Sequence, residues 1–136
     1  MKYILDTDTL IYFLKGHRKV VDCLSKCSAS EMATTIINHS ELFFGAFNST
    51  KKKENLEVIT GLLNTLKIIP FCEESSVIFA EQKALLKKQG NIVADMDLMI
   101  ASISLKHKAI LVTNNTQHFS RIKKLHLENW TSCIIE

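Results

Sequence analysis

The chain alternates short apolar runs with stretches of helical period, and that alternation leaves few folds open. Residues 2–6 (KYILD) form an apolar run ending in an acid, residues 32–37 are rich in Thr and Ile, residues 67–71 read KIIPF and residues 109–113 read AILVT. Runs this short, with no polar alternation, suit strands buried on both faces. A weaker fifth run occupies 125–130. Helical stretches separate them: 7–15 with Gly16 as its stop, 18–26, a pattern from Asn38 onward, 50–66, 73–89 closed by Gly90, 95–107, and a short turn through Phe119. Parallel neighbours need crossover connections, so the order strand, helices, strand, helices, strand, helices, strand, helix, strand predicts an α/β fold in three layers, a five-stranded parallel sheet flanked by helices.

Local signals refine this outline. Thr7, Asp8 and Thr9 all offer side chains to cap the first helix, and the capping preference points to Asp8. Ile37, Glu41 and Phe44 or Gly45 are spaced to share a face, which sends Glu41 where its apolar neighbours go. Leu56, Ile59, Leu62, Leu63 and Leu66 form a stripe that is either core or partner surface. Asn114 with Gln117 three residues later has the form of a capping box.

The acids carry the chemistry. In residues 91–104, NIVADMDLMIASIS, Asp95 and Asp97 stand at the mouth of a run apolar enough to be buried. A carboxylate beside a core must be paired, hydrogen-bonded or bound to a metal, although Asp95 could equally cap the helix. Doubly wound sheets collect ligands at the carboxyl ends of their strands, near the point where strand order reverses. Asp6 ends the first strand, Thr113 and Asn115 follow the fourth, and Glu41 and Asp97 lie in helices that begin near the same edge. Carboxylates gathered there would take up protons unless a hard cation such as Mg²⁺, or Mn²⁺ in its place, neutralised them.

Composition supports a packed domain over residues 1–136: 46% of residues are hydrophobic, with four Gly and one Pro. The first residues have no cleavage site and no run approaches a membrane span, so a cytoplasmic protein is expected. Cys23, Cys27, Cys72 and Cys133 follow no disulfide framework; Cys23 and Cys27 could join His17 or His126 at a zinc ion, but ordinary packing is the preferred reading. Of 17 basic and 14 acidic residues, setting aside Asp6, Glu41, Asp95 and Asp97 leaves 17 against 10, a surface suited to a polyanion around an acidic centre.

The segments ILDTDTLIYFLKG, TTIINHSELFFGA, KKQGNIVADMDLMIAS and ILVTNNTQHFSRIKKLHLENW, in this order and spacing, closely resemble the PIN-domain ribonucleases, specifically the VapC toxins of type II toxin-antitoxin systems. The resemblance covers nearly the whole chain. It implies a PIN-like three-layer sandwich and Mg²⁺-dependent hydrolysis of a structured RNA such as transfer or ribosomal RNA, leaving a 5′ phosphate and a 3′ hydroxyl. It places Asp6, Glu41 and Asp97 in the family's three acidic positions as metal ligands and catalytic groups, with Thr113 and Asn115 at the corner after strand four. It further implies a cognate VapB-like antitoxin, a homodimer and a toxin-antitoxin hetero-oligomer, and no membrane. Two departures stand out. Asn115 replaces an acid that many relatives carry, and Asp8 and Asp95 are acids where relatives often have none, which makes both candidates for support of the site. Lys51, Lys52, Lys53, Arg121, Lys123 and Lys124 are candidates to hold the RNA backbone.

Other classes fit less of the chain. Asp6-Thr7-Asp8-Thr9 matches the DxDxT nucleophile motif of haloacid dehalogenase-type phosphatases, but ILVTNN follows Asp95 and Asp97 where that family needs it before its later acids. A phospho-acceptor receiver domain needs an Asp after strand three, where this chain has Pro70 and Phe71. A relative that only binds RNA is opposed by the intact set Asp6, Glu41 and Asp97, and a housekeeping nuclease without an antitoxin remains the alternative within the family.

Overall fold

The computed structural model describes residues 1–132, so Cys133 lies outside the described residues. Five strands, β1 (Tyr3–Leu5), β2 (Met32–Thr35), β3 (Lys67–Ile69), β4 (Ile110–Val112) and β5 (His126–Glu128), form one sheet in the order β3-β2-β1-β4-β5. Every pairing is parallel. From β1 the chain builds outward to β2 and β3, then returns to the other side of β1 for β4 and β5. Strand order therefore reverses between β1 and β4, and a crevice opens beyond the carboxyl ends of that pair.

Among the described residues, seven α-helices cover the sheet: α1 (Thr7–Leu14), α2 (Arg18–Ser25), α3 (Ile36–Phe47), α4 (Lys52–Leu63), α5 (Glu73–Gln89), α6 (Asp95–His107) and α7 (Thr116–Phe119). The two layers follow from strand alternation. Ile4 and Leu111 face a core with Leu86, Leu98, Ile100, Ile103 and Phe119 from α5, α6 and α7. Leu5 and Val112, the next residues, face a second core with Leu10, Val20, Leu42, Ala46, Ile59 and Leu63 from α1 to α4. Each of these larger side chains contributes about 1.5–3 kcal/mol by leaving water.

Helix α6 has the bounds its sequence predicts. It is buried on almost every side, with Leu98, Ile100, Ala101 and Ile103 at 1% exposure or less. Its two buried serines are satisfied internally, Ser102 Oγ donating to the Leu98 carbonyl and Ser104 Oγ to that of Ile100. Gly90, at φ 71°, closes α5 in the left-handed region.

The β2–α3 boundary falls earlier than the sequence predicts. Ile36 and Ile37 look strand-like, yet they form the first turn of α3 because Thr35 caps it: its Oγ1 accepts from the backbone N–H of Ile37 and Asn38. The inward face of α3 is Asn38, Leu42 and Ala46, with Glu41 at its edge, while Phe44 is 69% exposed and does not share it. The stripe on α4 is mainly core, through Ile59 and Leu63.

Candidate active site

Asp6 is the first residue after β1, and its N–H donates to the Val112 carbonyl, extending the β1–β4 pairing by one residue to the lip of the crevice. The residue is buried, 7% exposed. Oδ1 accepts from the Thr7 N–H at 2.9 Å and from Asn38 Nδ2 at 2.8 Å, and Oδ2 accepts from Thr113 Oγ1 at 2.7 Å. Asp6, not Asp8, is therefore the N-cap of α1. The strand fixes its backbone, and three neutral donors fix its side chain. They do not fix its charge. Burial, then the neighbouring charge of Asp8, pushes the Asp6 carboxyl up to about 7, against the pull of those hydrogen bonds.

Asp8 lies in the first turn of α1 and reaches across the crevice. Its Oδ2 accepts from the Asn114 N–H at 3.0 Å and lies 3.4 Å from Thr113 Oγ1, so it ties α1 to the loop after β4. Burial raises its carboxyl as well. Glu41, half-buried on α3, accepts from Thr7 Oγ1 at 2.6 Å. Its carboxyl is raised by burial, with smaller upward pushes from the charges of Asp97 and Asp8. Asp97, in the first turn of α6, faces His118 of α7, with Nε2 3.2 Å from its Oδ2.

Asp6 thus feels the charge of Asp8, and Glu41 those of Asp97 and Asp8, which makes the four acids neighbours although they come from three helices and a strand end. Among the described residues, no three His, Cys, Asp or Glu side chains stand close enough together to hold a metal ion as they are placed. The zinc group weighed for Cys23 and Cys27 with His17 or His126 is likewise not formed among the described residues, and Cys27 Sγ donates to the Cys23 carbonyl. The donor set of the crevice nevertheless suits a hard divalent cation: four carboxylates, three of them with raised affinity for protons and none paired with a Lys or Arg among the described residues. A cation would replace those protons.

The remaining candidates divide. Thr113 is fully buried, and its Oγ1 also accepts from the Asn115 N–H at 3.1 Å, which sets the corner after β4. Asn115 is exposed and is the N-cap of α7 without a side-chain bond. The Asn114–Gln117 capping box does not form, because the Asn114 amide oxygen accepts from Thr131 Oγ1 and Asn129 Nδ2. Asp95 caps nothing either: the cap of α6 is Ala94, and Asp95 pairs with Lys83 of α5 at 2.9 Å, both more than half exposed. Lys51, Lys52, Lys53, Lys123 and Lys124 are exposed. Arg121 is exposed too, but its Nη1 donates to the Ile92 carbonyl at 2.8 Å.

Two residues of the crevice are absent from the sequence reading. Asn38 is wholly buried and holds both Asp6 and Thr7 Oγ1. Its position three residues before Glu41 and three after Thr35 is the signal that would have placed it. His118 has no such periodic signal; only its place shortly after the strand-four corner puts it near the site.

Comparison with known proteins identifies the family. A model of the PIN domain matches residues 3–125. Ribonuclease VapC2 of Haemophilus influenzae is 35% identical over 132 residues, covering 96% of this chain and 98% of that protein. The tRNA(fMet)-specific endonuclease VapC of Salmonella typhimurium is 28% identical over 130 residues, covering 96% and 98%. Among solved structures, VapBC2 from Rickettsia felis, bound to a DNA fragment from its promoter, superposes with a TM-score of 0.88 at 34% identity, covering 96% of this chain and 99% of that one.

Proposed function

This chain belongs to the PIN-domain family and, within it, to the VapC ribonucleases, and from that membership we propose that it is a metal-dependent endoribonuclease, the toxin of a type II toxin-antitoxin pair. The observation that carries the reading is the charge state of the crevice. Asp6 is locked by three neutral donors at the switch point of the sheet while its carboxyl sits near 7, so the site lacks a positive charge.

Asp6, Glu41 and Asp97 would hold Mg²⁺ or Mn²⁺, with Asp8 at their side. Bound there, the cation supplies Lewis-acid activation of water and neutralises charge on the phosphodiester. The chain's own groups do the rest. Thr7, Asn38 and Thr113 hold Asp6 and Glu41 in fixed orientations. Glu41, the partly exposed acid with a raised carboxyl, orients the attacking water and takes its proton. The water oxygen bonds to phosphorus as the bond to the 3′ oxygen breaks in line, and that oxygen leaves as a hydroxyl protonated by solvent. Exposed lysines bind the RNA backbone, so binding weakens as salt rises. The named activity of the Salmonella relative makes structured RNA, transfer RNA included, the first substrate to try.

The partner has a surface to meet. Ile11, Leu14, Gly45, Ala46, Val58 and Ile59 line an apolar groove between α1, α3 and α4, and Glu41 lies at its edge. We assign it to an amphipathic segment of a VapB-like antitoxin, in keeping with the VapBC assemblies of similar structures. A homodimer is the second expected assembly, and light scattering measures it. No helix among the described residues is long and apolar enough to cross a membrane.

The deciding experiment compares the purified chain with its Asp97→Asn variant on transfer and ribosomal RNA, with Mg²⁺ or EDTA. Cleavage that needs Mg²⁺ and falls at least about 100-fold in the variant, with melting unchanged, is the expected result. Undiminished cleavage by Asp97→Asn overturns the assignment. Mapping new 5′ ends in cellular RNA after brief expression then identifies the substrate.

A further inference from the structure

The acids of the crevice are not held alike. Asp6 has three donors, Asp8 has the Asn114 N–H with the Thr9 and Thr113 hydroxyls at 3.3 and 3.4 Å, and Glu41 has the Thr7 hydroxyl. Among the described residues, the carboxylate of Asp97 has one such partner, His118 Nε2, 3.2 Å from Oδ2. The imidazole is itself constrained. Its side chain is 23% exposed and packs edge-on against the fully buried Phe119, ring centroids 5.8 Å apart. The residue sits on α7, which starts from the Thr113–Asn115 corner that also anchors Asp6 and Asp8. A second tether runs parallel to it: Arg121, just beyond α7, donates to the Ile92 carbonyl ahead of α6. The α7 segment therefore grips the start of α6 at two points, and one of them is the carboxylate that the proposed function makes a metal ligand.

We propose that His118 is a positioning residue: by donating from Nε2 to Oδ2 it sets the orientation of Asp97 and leaves Oδ1 turned toward the cation site. The inference rests on the metal-site reading above. Hydrogen-bond partners of metal ligands fix the ligand's orientation, and their loss typically weakens metal binding about 10- to 100-fold. A simple packing role for the ring predicts instead a loss of stability with metal affinity unchanged.

The test measures Mn²⁺ binding by electron paramagnetic resonance on the purified wild-type chain and on His118→Ala, His118→Gln and Asp97→Asn. His118→Ala should bind Mn²⁺ about 10-fold more weakly or worse, at an unchanged melting temperature. His118→Gln, whose amide can still donate, should recover most of the affinity. In RNA cleavage the Ala variant should need more Mn²⁺ for half-maximal rate yet approach the wild-type rate at saturation. If His118→Ala binds Mn²⁺ as tightly as wild type while Asp97→Asn loses it, the positioning role is overturned and the metal site stands. If the wild type itself binds no Mn²⁺, both readings fall.

Discussion

Replacing Asp6 by Asn should make the metal-free protein more stable while abolishing its activity. The swap is nearly neutral in shape. The Asn carbonyl can occupy the place of Oδ1 and keep the bonds from the Thr7 N–H and Asn38 Nδ2. Its amide then faces Thr113 Oγ1, which must accept instead of donate, and the freed hydroxyl hydrogen can turn toward Asp8 Oδ2, 3.4 Å away. What changes is charge. The folded protein holds the Asp6 proton up to about pH 7, against an ordinary value of 3.8. Between those limits the native state binds more protons than the unfolded state, so stability falls as pH rises, and above pH 7 the full penalty applies. At about 1.4 kcal/mol for each tenfold, it amounts to about 4 kcal/mol at pH 8, and to about 1–2 kcal/mol at pH 5.

The assay is urea unfolding of wild type and Asp6→Asn in EDTA at pH 5, 6, 7 and 8. The variant should be the more stable at each pH, by a margin that widens across this window and levels off near pH 8. Millimolar Mg²⁺ should then narrow the margin, because a ligand stabilises only the chain that binds it. A margin independent of pH, or a variant less stable than wild type at pH 8, refutes the argument that Asp6 is a buried charge waiting for a cation.

Three further outcomes follow from the same geometry. Asn38→Ala removes the donor to Asp6 and Thr7 and leaves Thr35 without its partner, so chemical denaturation should show a loss of about 2–4 kcal/mol, with cleavage falling too. Asn115→Asp adds a carboxylate at the corner after β4 and should tighten Mg²⁺ binding in titration calorimetry with cleavage retained; weaker binding counts against placing residue 115 beside the ion. Val58→Asp puts a charge on the apolar groove at a position already 49% exposed, so it should abolish co-purification with the antitoxin while RNA cleavage and melting stay near wild type.

Helix α6 is legible because its run is largely apolar and its acids mark the start. The topology was legible because parallel strands require crossovers, and the strand and helix order then fixes the class. Local competition hid the rest. Ile36 and Ile37 favour a strand by β-branching, and only the cap made by Thr35 and Asn38 turns them into a helix. Every residue of the DTDT run is a possible cap, and the end of β1 at Leu5, not side-chain preference, decides for Asp6. Asp95 and Asp97 are equivalent on paper. The helix separates them, since residues two apart point in different directions, Asp95 toward Lys83 and Asp97 toward His118.

The contrast between those two aspartates bears on the proposed cation site. Asp95, on the surface, has taken a lysine partner. No lysine or arginine among the described residues pairs with Asp6, Asp8, Glu41 or Asp97. Hydroxyls, an amide and backbone N–H groups orient the first three without cancelling their charge. A lysine in the place of Asn38 or Thr113 would satisfy Asp6 electrostatically and remove the reason for a metal to bind there. Neutral donors therefore do what a salt bridge could not: they fix carboxylate positions to within a hydrogen bond and leave the charge deficit intact. On the proposed function, relief of the penalty for burying Asp6 with Asp8 beside it would add to the free energy of binding a divalent ion.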